Sequence, residues 1–303
     1  MPPAIDMGGD VRQSDGTYEE LVRDTGVHVN SGFEQPAQAG PELSLEVDLD
    51  LIRRLDRNGP RYTSYPTADR FIEAYGPDTY EGWVKRRNIG GVERGLSLYL
   101  HLPFCRTICF YCACNKIPTR NDGMAERYLT YLEREVGMQA ALFGADNHVD
   151  QMHWGGGTPT FYDTAPLSRL FDTITRHFNL SPNGEYSIEI DPRTVTPDTV
   201  RDLKRMGFNR MSLGVQDFDG EVQQAVNRVQ SEEQTLGVMD AARDAGFQSL
   251  NVDLIYGLPK QNLISFNRTL AKIIAAKPDR IAVYSYAHMP TRFKPQRRIL
   301  QKD

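Results

Sequence analysis

Short apolar runs alternate with longer amphipathic stretches from residue 95 to the end of the chain. Each run is bounded by turn-forming residues, which is typical of β-strands. The predicted strands are Leu96–His101, Val149–Trp154, Tyr186–Asp191, Arg210–Gly214, Leu250–Tyr256 and Arg280–Tyr284. Strands that alternate with helices predict a parallel sheet, so the chain is assigned to the α/β class as a partial (β/α)6 barrel.

The amphipathic stretches between the strands have the period of an α-helix. Between the second and third strands, apolar residues recur three and four positions apart, which places them on one helix face. These residues are Leu167, Leu170, Phe171, Ile174 and Phe178. The same pattern predicts further helices over Met124–Phe143, Thr196–Met206, Glu232–Ala245 and Ile264–Ala275.

The chain before the first predicted strand is organised differently. Residues 1–44 are rich in Gly, Pro, Ser, Gln and acidic residues without apolar periodicity, so we expect an unstructured leader. Residues 45–94 are predicted to form an N-terminal helix over Leu45–Leu55 and an arm, because Gly59, Pro60 and Pro66 favour extended or turn geometry. Residues 95–303 are assigned to the barrel.

Composition narrows the function classes. The chain has 303 residues, 40% of them hydrophobic and 25% charged, which is ordinary for a globular protein. Its formal net charge of −5 gives no broad basic surface, so nucleic acid is not an expected partner. No apolar run approaches the roughly 20 residues of a membrane helix, and the N-terminus has no signal pattern. We therefore expect a cytoplasmic protein without membrane association.

Chemically useful residues collect where the predicted strands end. They are Cys105, Gly155–Thr158, Glu189, Gln216, Asp253 and Tyr286–His288. In barrels of parallel strands, the chemistry lies at the carboxyl ends of the strands. The simpler interpretation is that loops between strands and helices are polar in every α/β protein.

The cysteines give the most specific signal. All four, Cys105, Cys109, Cys112 and Cys114, fall within ten residues, whereas structural disulfides join distant segments. A structural zinc site needs a second ligand pair, which the sequence lacks. Three thiolates on one loop can instead bind three irons of a [4Fe–4S] cluster and leave the fourth iron open for a substrate or cofactor.

The spacing Cys105-x3-Cys109-x2-Cys112 after a first barrel strand resembles the signature of the radical S-adenosylmethionine superfamily. Further blocks resemble, in order, the oxygen-independent coproporphyrinogen III oxidase family over roughly residues 45–300. They are Tyr99–Cys105, Cys112–Lys116, His153–Thr160, Glu189–Arg193, Gly214–Phe218, Asn227–Arg228, Asn251–Pro259 and Tyr286–His288. Cys114 and the arm Gly59–Pro66 separate the chain from a related haem-chaperone branch.

The resemblance implies a [4Fe–4S] cluster on Cys105, Cys109 and Cys112, with Cys114 outside the ligand set. It also implies two S-adenosylmethionine molecules, the first contacted by Tyr99, Gly156 and Glu189. The implied contacts of the second are Tyr111, Gly157, Thr158, Gln216, Arg228, Asp253 and Ala287.

Each of these assignments has a structural alternative. The alternative for Glu189 and Asp253 is to cap the following helices, and the alternative for Arg228 is a solvated charge at a helix end. The glycine run around Gly156 fits a flexible turn, because it lacks the Lys and Ser or Thr of a phosphate-binding loop. His101 and His288 are left without a catalytic role.

The activity implied by the resemblance is anaerobic oxidative decarboxylation of two propionates of coproporphyrinogen III, giving protoporphyrinogen IX through a 5′-deoxyadenosyl radical. The implied partner is a reduced flavodoxin- or ferredoxin-like electron donor. Family members continue into a helical domain over the substrate side, so we expect this chain to be truncated, with the covering domain absent. The alternatives are a haem- or cluster-binding accessory protein and an inactive fragment.

Overall fold

The computed structural model describes residues 48–55, 67, 70–87 and 95–299. These residues belong to two units, divided between Phe71 and Ile72. In the first unit, helix α1 covers Leu49–Leu55, and the Asp48 side chain accepts a hydrogen bond from the Leu51 backbone N–H at 2.9 Å. The predicted leader, residues 45–47 and the predicted arm over Gly59–Pro66 lie outside the described residues.

The second unit is built on a parallel sheet of six strands that confirms the predicted fold class. The sheet strands are β1 Leu96–Leu102, β4 His148–Gly156, β5 Asn179–Ile190, β6 Arg210–Gln216, β7 Ser249–Tyr256 and β8 Arg280–Ser285. Each strand pairs with the next in chain order, and all pairs are parallel. Every strand therefore ends at the same edge of the sheet.

Helices connect these strands. They are α3 Asp122–Phe143, α4 Thr164–His177, α5 Pro197–Met206, α6 Gly220–Ala225, α7 Glu232–Asp244 and α8 Leu263–Ala275, with α2 Pro77–Arg86 before the sheet. Several begin at a side chain that satisfies the free N–H groups of the first turn, such as Asn262 before α8. The predicted apolar face of α4 is buried, as expected from its period.

A second, two-stranded parallel ladder lies beyond β1. Strand β2 covers Phe104–Cys105 and strand β3 covers Ile117–Pro118. The Ile117 N–H donates to Pro103 O at 2.7 Å, and the Thr119 N–H donates to Cys105 O at 2.9 Å. These strands are too short to give a sequence signal, yet they fix both ends of the cysteine loop.

The core lies between the sheet and the helices. Trp154 on β4 is fully buried and meets Phe208 edge to face, with ring centroids 5.0 Å apart, and Phe171 of α4 packs on the same pair. Aromatic contacts of this kind add to the free energy gained from burying apolar area. This packing holds β4 rigidly below its glycine-rich end.

The structure corrects several predicted boundaries. Strand β5 begins at Asn179 rather than Tyr186, since its pairing with β4 resumes after an irregularity over residues 181–184. Helices α2 and α6 were not predicted, because each is short and has few buried apolar positions to set a period. Within the part of the chain that the structure describes, no helix combines the length and the apolarity that crossing a membrane requires.

Candidate functional site

The loop that carries the cysteines is fastened to the segment after α6. The Phe110 N–H donates to Val226 O at 2.9 Å, and the Asn227 side-chain amide donates to Ile108 O at 2.7 Å. Asn227 has a φ of 55°, a left-handed conformation that Asn adopts more readily than most residues. The loop is therefore held over the carboxyl ends of the strands.

The sulfur atoms of Cys105 and Cys109 have polar neighbours. Cys105 Sγ lies 3.5 Å from the Thr158 hydroxyl. Cys109 is buried, and its Sγ lies 3.5 Å from Arg228 Nη1 and 3.8 Å from Arg193 Nη2. Arg193 and Arg228 thus place two cationic N–H donors at the sulfur of Cys109.

Cys112 and Cys114 form a coupled pair. A hydrogen bond from Cys114 lowers the pKa of Cys112 to about 6, against the effect of burial, while the same bond raises the pKa of Cys114. Lys116 Nζ donates to the carbonyl oxygens of Cys112 at 2.8 Å and of Cys114 at 3.3 Å. The thiolate is therefore favoured at Cys112, the predicted ligand, and the proton stays on exposed Cys114.

The residues predicted for the first cofactor molecule meet at the ends of β1, β4 and β5. Glu189 accepts a hydrogen bond from the Gly156 N–H at 3.2 Å and pairs with His153 Nε2 at 3.2 Å. The Tyr99 ring stacks on His153, with centroids 5.8 Å apart and planes inclined by 13°. Glu189 caps no helix in this arrangement, because the side chain of Asp191 caps the next turn instead.

Arg228 is buried rather than a solvated charge at a helix end. Its side chain is 8% exposed, and Nη2 donates to Gly214 O at 2.5 Å while Nη1 pairs with Asp191 Oδ2 at 3.3 Å. Gln216, two residues after Gly214, ends β6 with a φ of 68°. The two predicted contacts of the second cofactor molecule thus lie side by side.

Asp253 faces polar neighbours on β6 and β7. It accepts hydrogen bonds from the Ser212 hydroxyl at 3.1 Å and from Asn251 Nδ2 at 2.9 Å. Burial raises the pKa of Asp253, and these two hydrogen bonds oppose the rise. No helix-capping bond from Asp253 occurs among the described residues, so the capping interpretation does not apply.

Tyr111 and Ala287 are joined through a residue that sequence reasoning missed. Gln296 is 1% exposed, and its Nε2 donates to both Tyr111 O and Ala287 O at 3.1 Å. Its Oε1 accepts from the Met289 N–H at 2.5 Å. The Tyr111 side chain packs beside Val226, and burial raises the pKa of its phenol while the Arg228 charge lowers it.

Other residues of the site also lacked a predicted role. They are His153, Ser187, Asp191, Arg193 and Gln296. His153, Asp191 and Arg193 fall inside the sequence blocks His153–Thr160 and Glu189–Arg193, and this was the available signal. Ser187 and Gln296 carried no such signal.

The donor set fits a cluster better than a single ion. Among the described residues, no three His, Cys, Asp or Glu side chains come close enough to share one metal ion. A [4Fe–4S] cluster takes each thiolate on a different iron, so its ligands need not converge on one point. The three thiols on one fastened loop, with Arg193 and Arg228 to offset their charge, match that requirement.

Comparison with known proteins places this site in a family. The Radical SAM superfamily matches residues 99–273 of the chain. Oxygen-independent coproporphyrinogen III oxidase from Pseudomonas aeruginosa is 50% identical over 259 residues, which cover 84% of this chain and 56% of that protein. The Escherichia coli protein of the same name is 48% identical, and the match covers 86% of this chain and 56% of that protein.

Solved structures agree with the sequence relatives. The structure of coproporphyrinogen III oxidase (HemN) from Escherichia coli, described as a radical SAM enzyme, matches with a TM-score of 0.78 and 47% identity, covering 85% of this chain and 57% of that one. The methyltransferase TsrM from Kitasatospora setae matches with a TM-score of 0.51 and 14% identity, covering 67% and 38%, which shows the fold alone.

The chain spans about half the length of the curated relatives it matches. The superfamily match nonetheless covers more than half of the chain and includes the cysteine loop and the ends of β1 and β4–β7. This chain therefore belongs to the radical S-adenosylmethionine superfamily.

Proposed function

We propose that this chain carries the cofactor-binding part of an anaerobic coproporphyrinogen III oxidase, which converts two propionates of coproporphyrinogen III to vinyl groups. The observation that carries the proposal is the position of the cysteine loop, fastened at Phe110 and Asn227 over the strand ends that hold Glu189 and Arg228. The names of the relatives supply the substrate.

The superfamily implies a [4Fe–4S] cluster and S-adenosylmethionine. When bound, they supply one-electron cleavage of a sulfonium and so the abstraction of a substrate hydrogen. Cys105, Cys109 and Cys112 are the residues that would hold the cluster, and Cys114 remains a thiol. The proposal also includes the binding of two S-adenosylmethionine molecules.

The remaining residues orient the cofactor. Glu189, tied to Gly156 and His153, presents a carboxylate to an ammonium group beside the loop. Arg228 and Asp253 supply a buried cation and a carboxylate on the neighbouring strands. A zwitterionic cofactor needs partners of both signs within one pocket.

The proposed function includes a partner that supplies the electron. A reduced flavodoxin- or ferredoxin-like protein has the required chemistry, because the cluster must be reduced once for each cleavage. A cavity of about 410 Å³ opens beside the cysteine loop and is lined by Cys105, Arg106, Thr158 and Arg193, among others. This cavity gives solvent a path to the vicinity of the cluster ligands.

Anaerobically reconstituted protein tests the proposal. We expect 5′-deoxyadenosine to form with dithionite as reductant, and its yield to rise when coproporphyrinogen III is added. The assay should be run on the chain and on a Cys105→Ala variant as the control without a complete ligand set. Haem binding without loss of carbon dioxide would favour an accessory protein instead, and the absence of deoxyadenosine in both samples would contradict the proposal.

A further inference from the structure

A group of one buried carboxylate, one buried guanidinium and one half-buried guanidinium lies directly against Cys109. Asp191 Oδ2 pairs with Arg193 Nη2 at 2.6 Å and with Arg228 Nη1 at 3.3 Å. Asp191 and Arg228 are buried, whereas the Arg193 side chain is 20% exposed. The group has two positive charges and one negative charge, and it is therefore net positive.

Arg193 is held rigidly in this group. Its Nε lies 2.9 Å from Asp191 Oδ1, and its backbone N–H donates to the same oxygen at 3.1 Å. The bond from Nη2 to Oδ2 completes a bidentate contact, so the guanidinium has little freedom to turn. This orientation leaves Nη2 at 3.8 Å from Cys109 Sγ.

A positive group that donates N–H to a ligand sulfur changes the energy of the cluster's two redox states unequally. The reduced cluster carries one more negative charge than the oxidised cluster, so a nearby cation stabilises it more. Hydrogen bonds to sulfur and local charge are among the main determinants of iron–sulfur reduction potentials. The burial of Asp191 and Arg228 and the partial burial of Arg193 strengthen the effect, because solvent screens such charges less than exposed ones.

We propose that Arg193, held in place by Asp191, raises the reduction potential of a cluster bound through Cys109 and thereby sets how readily the protein accepts its electron. Arg193 is a positioning residue that acts through the cysteine and does not touch substrate. The proposal rests on the proposed function, in which Cys109 is a cluster ligand. It requires that removing the charge of Arg193 and removing the charge of Asp191 shift the reduction potential in opposite directions.

The test is an anaerobic potentiometric titration of reconstituted protein, followed by electron paramagnetic resonance and without S-adenosylmethionine. In Arg193→Met we expect reduction to be about tenfold less favourable, which equals about 59 mV to more negative potential for one electron. In Asp191→Asn, which keeps the shape but removes the negative charge, we expect a shift to less negative potential. Arg193→Lys should lie between Arg193→Met and the unaltered protein.

Arg201→Gln is the matched control, because Arg201 is 53% exposed and forms a similar ion pair with Asp198 on the surface. Its potential should equal that of the unaltered protein. Shifts of the same sign in Arg193→Met and Asp191→Asn, or no shift in either, would overturn the proposal.

Iron content, measured on every sample, separates this proposal from the ligand assignment. Normal iron with unchanged potentials overturns the role of Arg193 alone, whereas no iron in the unaltered protein contradicts both proposals. Loss of iron from both Arg193 variants, with the circular dichroism spectrum unchanged, would also overturn the role proposed for Arg193. Arg193 would then be needed to hold the cluster.

Discussion

At the scale of single residues, the four cysteines divide into three proposed ligands and one thiol. Cys105→Ala, Cys109→Ala and Cys112→Ala should each abolish the uptake of about four irons per chain on anaerobic reconstitution. Cys114→Ala should retain the iron, because Cys114 is exposed and holds its proton more tightly than Cys112. Iron analysis and the visible absorption of the cluster measure both outcomes. Equal loss in all four variants would place Cys114 among the ligands.

Asp253 predicts a pH dependence of stability. Burial raises the pKa of this carboxyl in the folded protein, whereas in the unfolded chain it titrates near ~3.9. The stability it contributes is therefore present below the unfolded pKa and is lost as pH rises through the folded pKa. Asp253→Asn should flatten this decline, measured as the urea midpoint of the apo-protein from about pH 4 to pH 7.

The exposed Asp146 provides the control for that measurement, since Asp146→Asn should leave the pH profile unchanged. Parallel profiles for Asp253→Asn and the unaltered protein would show that Asp253 does not cause the decline. The Ser212 and Asn251 side chains remain in all three proteins, so their hydrogen-bonding groups do not account for a difference.

The sequence indicated which residues belong to the candidate site better than it indicated which residues surround them. The position of Arg228 near a helix end was visible, but its burial against Asp191 and Cys109 was not, because those residues are 37 and 119 positions away along the chain. The pairing of His153 with Glu189 was not visible for the same reason, because it is a long-range contact between neighbouring strands. Such contacts depend on the sheet register, which periodicity does not give.

At the scale of elements, the glycine-rich end of β4 packs against the end of β1 without space for a side chain. The Gly157 N–H donates to Leu102 O at 2.9 Å, and a Cβ on Gly157 would lie 2.4 Å from Pro103 O. Gly156 beside it has a φ of 120°, which other residues rarely adopt. The run is therefore a tightly packed connection and not a flexible turn.

This packing predicts the effect of an added methyl group. Gly157→Ala should lower the free energy of unfolding by about 1–3 kcal/mol, because the backbone at Pro103 and Phe104, just after β1, must move to admit the Cβ. Gly237→Ala in α7 is the matched control, since its Cβ would meet nothing within 4 Å, and it should gain about 0.5–1 kcal/mol in helix stability. Urea unfolding measures both changes. An equal effect of the two substitutions would contradict the close packing of the β4 end.

The elements that the sequence predicted are those in which apolar residues form a run or recur at regular spacing. Helices α3, α4, α5, α7 and α8 and the other five sheet strands bury side chains at regular spacing, whereas β8 buries none and was predicted from its apolar run. The short β2–β3 ladder and α6 were missed, although both position the cysteine loop. Their formation depends on contacts made by the folded barrel, and not on local pattern.

At the scale of the whole molecule, Gln296 connects the cysteine loop to the segment after β8 across 185 positions of sequence. It bonds the backbone at Tyr111, Ala287 and Met289, where the proposed second S-adenosylmethionine molecule would lie. Gln296 is buried at its end of the three hydrogen bonds, so their loss leaves polar groups without partners. Gln296 therefore connects the loop after β1 to the segment after β8, which are the first and last strands of the sheet.

Gln296→Ala should lower the free energy of unfolding by about 2 kcal/mol and weaken S-adenosylmethionine binding, while the iron content stays the same. The reason is that the cysteine side chains keep their own contacts at Thr158 and Arg228, whereas Tyr111 and Ala287 lose their common anchor. Calorimetric titration of the reconstituted protein measures the binding, and urea unfolding measures the stability. The exposed Gln248→Ala serves as control and should change neither. Unaltered cofactor affinity in Gln296→Ala would mean that the cysteine loop and the segment after β8 hold their positions independently.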